Sequence, residues 1–361
     1  MKKVITMMSL ALMGMVSVGA LSSCSQDDEP GAAQSVSSNA IQFNATTDNA
    51  AGTRGLPTTS ANYLTQVSNF KVWGTLVNGG AYYLGRTGDA GILIANKGGG
   101  KWDYNTATDM VYWPNEAMNF YAVTPSSNSN YSFNGGLLTY TVPTDNSQQI
   151  DLMTAKAVNQ TKTTNKGVVN LQFQHALSQV VFKGITKSSN LSVEIQSITI
   201  HNVNSVMTLG LNGTATAPAA KYANYSLGMG GTKTVAVTDA SKAVNLTAAD
   251  GALMLVPQTL TGWTDKTSTT AADAAHQAYI EIVCKITSKT SAGVTYLVGT
   301  ATAYDKTCVS LPATWEAGKR YVYTLQFGGG KDPNTGADRF APITFTMNVS
   351  DWADSSSNIA L

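Results

Sequence analysis

Apolar and polar residues alternate along most of this chain in short runs, a pattern typical of β-strands with one buried face. In the first half these runs are 70–77, 81–84, 109–113, 118–124, 137–142, 149–154 and 168–182. In the second half they are 193–203, 234–237, 251–257, 279–286, 294–303 and 320–327. Glycines at 79–80, 98–100 and 135–136 supply the positive φ angles that tight hairpins need. The pattern predicts an all-β protein, a sandwich or barrel, divided into two domains near residue 185.

The two ends of this pattern match each other. The apolar positions are Ile41, Phe43 and Ala45 near the start, and Ile343, Phe345, Met347 and Val349 near the end. Both segments place isoleucine and phenylalanine two positions apart, with a polar residue between them, so both could fill the same apolar groove. From periodicity alone, the favoured interpretation is two ordinary edge strands of one monomer.

The first residues form a secretory leader. Lys2 and Lys3 precede an uncharged apolar stretch, 4–21, which ends in small residues before Cys24. We expect a signal peptide at 1–23, lipidation of Cys24, and a polar tether at 24–40 that holds the protein to a membrane surface. The acidic residues at 27–29 resemble an export signal to the outer face of the outer membrane, although a solvated spacer has the same composition. A plain transmembrane start is the less favoured alternative.

Composition restricts the partners. Charged residues make up 12% of the 361 residues, with 23 Lys and Arg against 22 Asp and Glu, so the chain has no basic field for nucleic acid. Small polar residues fill 46–60 around a single basic residue, Arg54. Such a loop is an accessible target for a protease.

Motifs for catalysis or metal binding are not found. The histidines His175, His201 and His276 lie far apart and outside any metal or nucleophile motif. Gly98 to Lys101 is read as a hairpin turn rather than a phosphate loop. Oxygen ligands for Ca²⁺ could come from Asp332, Asn334 and Asp338, but a solvated turn is favoured. We therefore expect no enzyme activity, no cofactor and no metal.

The cysteines beyond Cys24 are Cys284 and Cys308. Cys284 alternates in phase with Ile280, Ile282 and Ile286, which indicates a core side chain. Cys308 falls on the other face of its strand, and a disulfide between the two is the less favoured of two open possibilities.

Aromatic residues are frequent enough to suggest a carbohydrate-binding surface. The candidates are Tyr82, Tyr83, Trp102, Tyr104, Tyr112 and Trp113. A binding platform needs several of them exposed together, which linear spacing does not show, and we expect Trp113 in the core.

The chain resembles the fimbrillin-like subunits of type V pili. The resemblance is carried by Tyr112-Trp113-Pro114, Asn119-Phe120-Tyr121-Ala122, Asp151-Leu152-Met153-Thr154-Ala155, Leu171-Gln172-Phe173-Gln174-His175-Ala176-Leu177-Ser178 and Ile343-Thr344-Phe345 before Trp352. Together with the lipoprotein leader and Thr53-Arg54-Gly55, it extends over essentially the whole chain.

The resemblance implies a fold and an assembly pathway. It implies two tandem transthyretin-like β-sandwich domains, 41–184 and 185–361, in a lipoprotein precursor that is cut between Arg54 and Gly55. The cut would remove the propeptide 41–54 with its strand Ile41, Phe43 and Ala45. A donor strand, Ile343 to Val349 in the tail 341–361 of another subunit, would then fill the groove.

The implied protein is a structural subunit of a cell-surface fimbria with a role in adhesion. Its partners would be other pilin subunits, the outer membrane through the lipid on Cys24, and a host surface ligand. The alternative is a monomeric surface lipoprotein that binds glycans or host ligands. Stalk, tip and anchor roles stay open, and a donor-like tail together with Arg54 modestly favours the stalk.

Overall fold

The computed structural model describes residues 39–47, 67–85, 90–134, 137–210, 219–264, 268–328, 330–331, 338–339 and 343–352. Within these ranges the regular secondary structure is almost all β-strand, which confirms the all-β prediction. The strands of the first half are β1 Gln42–Thr47, β2 Asn69–Leu76, β3 Tyr82–Leu84, β4 Ile92–Asn96, β5 Trp102–Tyr104, β6 Met118–Thr124, β7 Tyr131–Asn134, β8 Leu137–Thr141, β9 Met153–Gln160 and β10 Val168–His175.

The second half has its own set of strands. They are β11 Ser178–Thr186, β12 Leu191–Asn204, β13 Val206–Gly210, β14 Tyr222–Ser226, β15 Lys233–Val235, β16 Val244–Asn245, β17 Leu253–Leu255, β18 Thr259–Leu260, β19 Tyr279–Thr290, β20 Gly293–Val298, β21 Asp305–Ser310, β22 Ala313–Thr314, β23 Lys319–Phe327, β24 Gly330–Lys331, β25 Asp338–Arg339 and β26 Thr344–Asp351.

Helical structure is confined to short segments in the described part of the chain. A six-residue helix, α1 Thr269–Ala274, begins after Ser268, whose hydroxyl accepts a hydrogen bond from the Ala271 amide. Single 3₁₀ turns lie at Ala107–Asp109, Asn146–Gln148, Thr164–Gly167 and Ala240–Lys242. No helix in these ranges has the length and apolar character needed to span a bilayer.

The first half is organised as a closed ring of strands. An eight-stranded sheet runs in the order β3-β2-β4-β5-β1-β10-β9-β6, and β6 pairs back onto β2. Because strands alternate their side chains, each ring strand turns one face inward. The inward residues form one apolar cluster that includes Ile41, Phe43, Phe70, Ile94, Trp102, Phe120, Ala155, Leu171 and Phe173.

The second half is a sandwich of two sheets. One sheet has the order β16-β11-β23-β26, with β17 also paired to β11, and the other has the order β14-β12-β19-β20, with β15 and β21 attached. Their inner faces share a core that includes Val180, Phe182, Tyr323 and Leu325 from the first sheet and Val193, Ile198, Ile280 and Ile282 from the second.

The two halves are joined by more than the chain connection. A three-stranded sheet pairs β7 and β8 with β13, which comes from the second half. The sandwich core also extends to the outer face of the ring, where Trp73 stacks on Phe133 with ring centroids 3.9 Å apart. Division into two separate domains therefore stays a prediction. The chain changes sheets at Ala176 and Leu177, so the expected boundary at residue 184 falls inside β11.

Several predicted strands have other bounds in the structure. The run 109–113 is not a strand: a 3₁₀ turn, Ala107–Asp109, precedes a single bridge between Tyr112 and Ala40. The run 149–154 becomes strand only at Met153 because Asn146–Gln148 forms a turn. The run 168–182 is two strands that separate where the chain leaves the ring.

The prediction also missed some strands. The run 294–303 is not one continuous strand. β20 ends at Val298, the next residue, Gly299, has a φ of 74°, and β21 begins at Asp305. The polar start of β21 conceals its strand pattern. The turn at Gly98 to Lys101 is confirmed: it joins β4 to β5, and the Lys101 amide donates to the Gly98 carbonyl at 3.1 Å. Among the strands of three or more residues, those without a predicted counterpart are β4, β5, β7, β13, β14 and β21.

Candidate functional site

The candidate site is the place that β1 occupies in the ring. β1 lies between β10 and β5: it runs parallel to β10 from Gln42 opposite Val168 to Thr47 opposite Phe173, and Phe43 pairs with Trp102 of β5. The strand is thus an internal member of the ring rather than an edge strand. Ordinary edge strands were the interpretation that periodicity favoured, and for β1 that interpretation is wrong.

The side chains of β1 follow the predicted alternation. Ile41, Phe43, Ala45 and Thr47 are buried inside the ring, whereas Gln42, Asn44 and Thr46 are exposed. Outside the ring, the Asn44 side chain donates to Asn170 Oδ1 on β10 at 3.1 Å. One face of β1 therefore belongs to the core, and removing the strand would open that core to water.

Phe43 occupies an aromatic pocket. Its ring meets Phe70, Tyr104 and Phe120 edge to face, with centroid distances of 6.4, 6.0 and 5.9 Å. Each such pair contributes about 0.5–1.5 kcal/mol beyond burial. We call this set of three rings the Phe43 pocket.

Polar contacts hold the start of β1. The Ile41 amide donates to the Val111 carbonyl at 2.9 Å, and the Trp113 amide donates to the Asn39 carbonyl at 3.0 Å. The Tyr104 hydroxyl donates to the Ile41 carbonyl at 3.0 Å. Burial is the main cause that raises the pKa of Tyr104, so this hydroxyl remains a donor. The sequence marked Tyr104 only as one of several aromatic residues.

The C-terminal strand β26 lies at the edge of the sandwich, antiparallel to β23. Phe345, Met347 and Val349 lie opposite Leu325, Tyr323 and Tyr321, on the core side of the sheet. Phe345 is half-buried against Tyr323, with centroids 5.3 Å apart, whereas Met347 and Val349 are 41% and 49% exposed. The apolar face of this strand is thus incompletely covered where it lies.

Both ends of β26 are anchored. Ile343 and Trp352 are buried, and the Trp352 amide donates to the Gly318 carbonyl at 3.0 Å. The Trp352 ring meets His175 edge to face at 4.1 Å, and His175 Nδ1 lies 2.8 Å from Asp151 Oδ1. His175 stands at the end of β10, as expected for a structural corner residue.

Not all of the predicted site residues are described by the structure. Cys24, Arg54, Gly55, Asp332 and Asn334 are outside the described residues. The described ranges contain no group of three or more His, Cys, Asp or Glu side chains placed to hold a metal ion. The expectations of no enzyme activity and no metal stay predictions.

The two described cysteines are free thiols on neighbouring strands. Cys284 faces the core, where burial raises its pKa to about 12. Cys308 lies opposite Glu281, on the other face of the sheet from Cys284, and burial raises its pKa to about 11. The less favoured disulfide is therefore not formed.

The aromatic candidates separate into core and surface. Trp102, Tyr104 and Trp113 are buried, the last as predicted. Tyr83 and Tyr112 are exposed side by side, and the Tyr83 hydroxyl donates to the Tyr112 carbonyl at 3.1 Å. Only this pair keeps the features of a carbohydrate-stacking surface among the candidates that the sequence suggested.

A solved structure of another protein shares the fold. A fimbrial protein from Bacteroides vulgatus superposes with a TM-score of 0.56 and 18% sequence identity, over 87% of this chain and 99% of that one. The tip fimbrial protein Mfa3 from Porphyromonas gingivalis, with a C-terminal truncation, gives a TM-score of 0.39 and 12% identity over 83% of this chain and 97% of that one. No curated protein sequence matches this chain significantly.

The family is established by a sequence match. The fimbrillin-like family model matches residues 53–352, which is most of the chain and agrees with the resemblance noted from its motifs. The matched range begins one residue before Arg54 and ends at Trp352, so β1 lies outside it and β26 lies within it. This chain belongs to the fimbrillin-like family.

Proposed function

We propose that this protein is a structural subunit of a cell-surface fimbria that polymerises by strand exchange. A lipoprotein precursor, anchored through Cys24, is cut between Arg54 and Gly55, loses β1, and accepts the C-terminal strand of another copy. The observation that carries the proposal is the position of β1, an internal strand of a closed ring that is connected to the rest of the chain through the segment containing Arg54.

Loss of β1 would leave an unstable subunit. β10 and β5 would both present unpaired backbone groups, and the sites of Ile41 and Phe43 would open to water. Burial of side chains of this size contributes about 1.5–3 kcal/mol each. Unpaired strand edges beside an apolar trough favour capture of another strand.

The tail has the properties of the captured strand. In the position where it lies, Met347 and Val349 remain about half exposed, whereas the inward positions of β1 are almost fully buried. Transfer of the tail into an empty ring would therefore bury apolar surface that the monomer leaves in water. Because donor and acceptor surfaces differ, each subunit can give one strand and accept another, which produces an open filament rather than a closed oligomer.

The assembly step is tested by paired substitutions in the tail. Phe345→Asp places a charge on the face that would enter the ring, and we expect a secreted subunit that forms no filaments. Thr346→Asp places the same charge on the exposed face of the next residue, and we expect filaments of normal length. Electron microscopy of surface material measures the outcome, and filaments of normal length from Phe345→Asp would refute the donor role.

A second candidate function is a monomeric surface lipoprotein that binds glycans. The exposed pair Tyr83 and Tyr112 favours it. An intact lipidated chain with glycan affinity that is lost on Tyr112→Ala would support this alternative.

A further inference from the structure

We infer that the incoming tail takes the direction and register of β1, with Ile343 at the site of Ile41 and Phe345 in the Phe43 pocket. This inference rests on the proposed strand exchange and adds the register in which it occurs. Met347 then occupies the site of Ala45, and Val349 occupies the site of Thr47.

Side-chain volume favours this direction. Read in the direction of β1, two of the four buried positions receive the same side chain, Ile for Ile and Phe for Phe. Val349 has the shape of Thr47 but lacks the hydroxyl that donates to the Phe173 carbonyl at 3.2 Å. Read in the opposite direction with Phe345 still in the Phe43 pocket, Met347 replaces Ile41 and Ile343 replaces Ala45. Volume-conserving exchanges are the ones that packed cores tolerate best, so the direction of β1 is preferred.

The Phe43 pocket sets the position along the groove. Among the described residues, Phe345 in the monomer meets one aromatic ring, Tyr323, whereas the pocket offers three. A slip of two residues would put Ile343 or Met347 among these rings and would leave Phe345 in a site shaped for Ile or Ala. The Phe43 pocket therefore favours the alignment that places Phe345 among its three rings.

Tyr104 disfavours slips of one residue. Its buried hydroxyl donates to the Ile41 carbonyl at 3.0 Å in the precursor, with the Val111 carbonyl at 3.4 Å as a second, more distant acceptor. After exchange, the Ile343 carbonyl would take the place of the Ile41 carbonyl. A slip of one residue would turn every apolar side chain of the tail outward and would move this carbonyl away from the hydroxyl. The slip would leave the hydroxyl only the more distant Val111 carbonyl, so loss of the shorter hydrogen bond makes Tyr104 a positioning group for the incoming strand.

The register is tested by disulfide cross-linking in filaments assembled from the full chain. In a Cys308→Ser background, Asn170→Cys is combined with Thr346→Cys, since Thr346 would replace Asn44 opposite Asn170. We expect subunits joined in a ladder on a non-reducing gel. Asn170→Cys with Thr344→Cys should give no ladder. The uncut chain with Asn44→Cys and Asn170→Cys is the geometric control, and it should form the bridge within one molecule.

Each other outcome contradicts a stated part of the account. A ladder from Thr344→Cys alone means that the tail enters in the opposite direction. Filaments without a ladder from either pair mean another register. Absence of filaments from all of these variants contradicts the exchange itself.

A second measurement examines the site of Ala45, where the incoming Met347 side chain is larger than the one it replaces. Because Met347 would sit where Ala45 now packs, Met347→Ala filaments should withstand guanidinium at least as well as the unsubstituted ones. Phe345→Ala filaments, which lose the side chain that fills the Phe43 pocket, should dissociate at a clearly lower concentration. Equal losses from the two substitutions would overturn the register.

Discussion

At the scale of single residues, Tyr104 shows how a side chain acquires a role through distant partners. The sequence places it in an aromatic run that could as well be a ligand surface. The structure buries it and directs its hydroxyl at the carbonyl of Ile41, which lies 63 positions away in the chain. Alternation predicted that Ile41, Phe43 and Ala45 are buried, but it could not identify the group that holds them.

Removal of the Tyr104 hydroxyl should weaken the precursor. We expect Tyr104→Phe to lower the free energy of unfolding by about 0.5–1.5 kcal/mol, the usual contribution of one hydrogen bond. Tyr83→Phe is the matched control because this hydroxyl donates at an exposed site. Guanidinium unfolding of the uncut chain measures both changes, and equal effects would contradict the role of Tyr104.

His201 should make stability depend on pH. Burial is the main cause that lowers the pKa of His201 below its ordinary value of 6.5, and its ring stacks on Tyr279 at 4.4 Å. Near pH 6.5 and below, the unfolded chain binds a proton that the folded chain resists, so stability falls as the pH is lowered through this range. At higher pH both states are neutral at this residue, and its pH-dependent penalty disappears.

The comparison that isolates this effect is the fall in melting temperature between pH 8 and pH 5. In His201→Phe we expect a smaller fall than in the unsubstituted protein, because the variant has no proton to take up at this site. An identical fall in the two proteins would show that His201 does not contribute.

At the scale of elements, β26 is a strand fixed at its ends and loosely covered between them. Ile343 and Trp352 are buried, while Met347 and Val349 are about half exposed. Such a strand can be stable in the monomer and still gain burial on transfer, which is the property that a donor needs. The sequence predicted its alternation correctly, but it could not reveal which neighbour the strand has before assembly.

Loss of the Trp352 anchor should free the tail. Truncation of a buried tryptophan typically costs about 3–5 kcal/mol, so we expect Trp352→Ala to raise amide hydrogen exchange across β26 at least tenfold. Val349→Ala, at a half-exposed position on the same strand, should change exchange little. If both variants exchange alike, Trp352 is not the anchor of the strand.

The strand predictions failed for physical reasons that are visible in particular elements. Residues 111–113 alternate as a strand does, but they make two backbone hydrogen bonds to the residues before β1 and do not extend into a strand. The continuous pattern of 168–182 hides the change of sheet at Ala176 and Leu177. The alternation of apolar and polar residues along the sequence indicates which side chains are buried. The choice of partner strand depends instead on packing between distant segments.

At the scale of the whole molecule, the closed ring of the first half explains why one strand could control assembly. The sequence predicted an all-β fold and matched terminal segments, but the parallel pairing of β1 with β10 and the return of β6 to β2 are long-range contacts. Short-range alternation contains no information about such contacts. The ring makes β1 an internal part of the core, and in the proposed assembly its loss leaves a vacancy for the strand of another copy.

The most direct measurement is the N-terminal sequence of subunits in filaments sheared from cells. The account predicts that these subunits begin at Gly55, because the ring must lose β1 before it can accept a tail. Filament subunits that still begin at the lipidated Cys24, and so retain β1, would contradict the account.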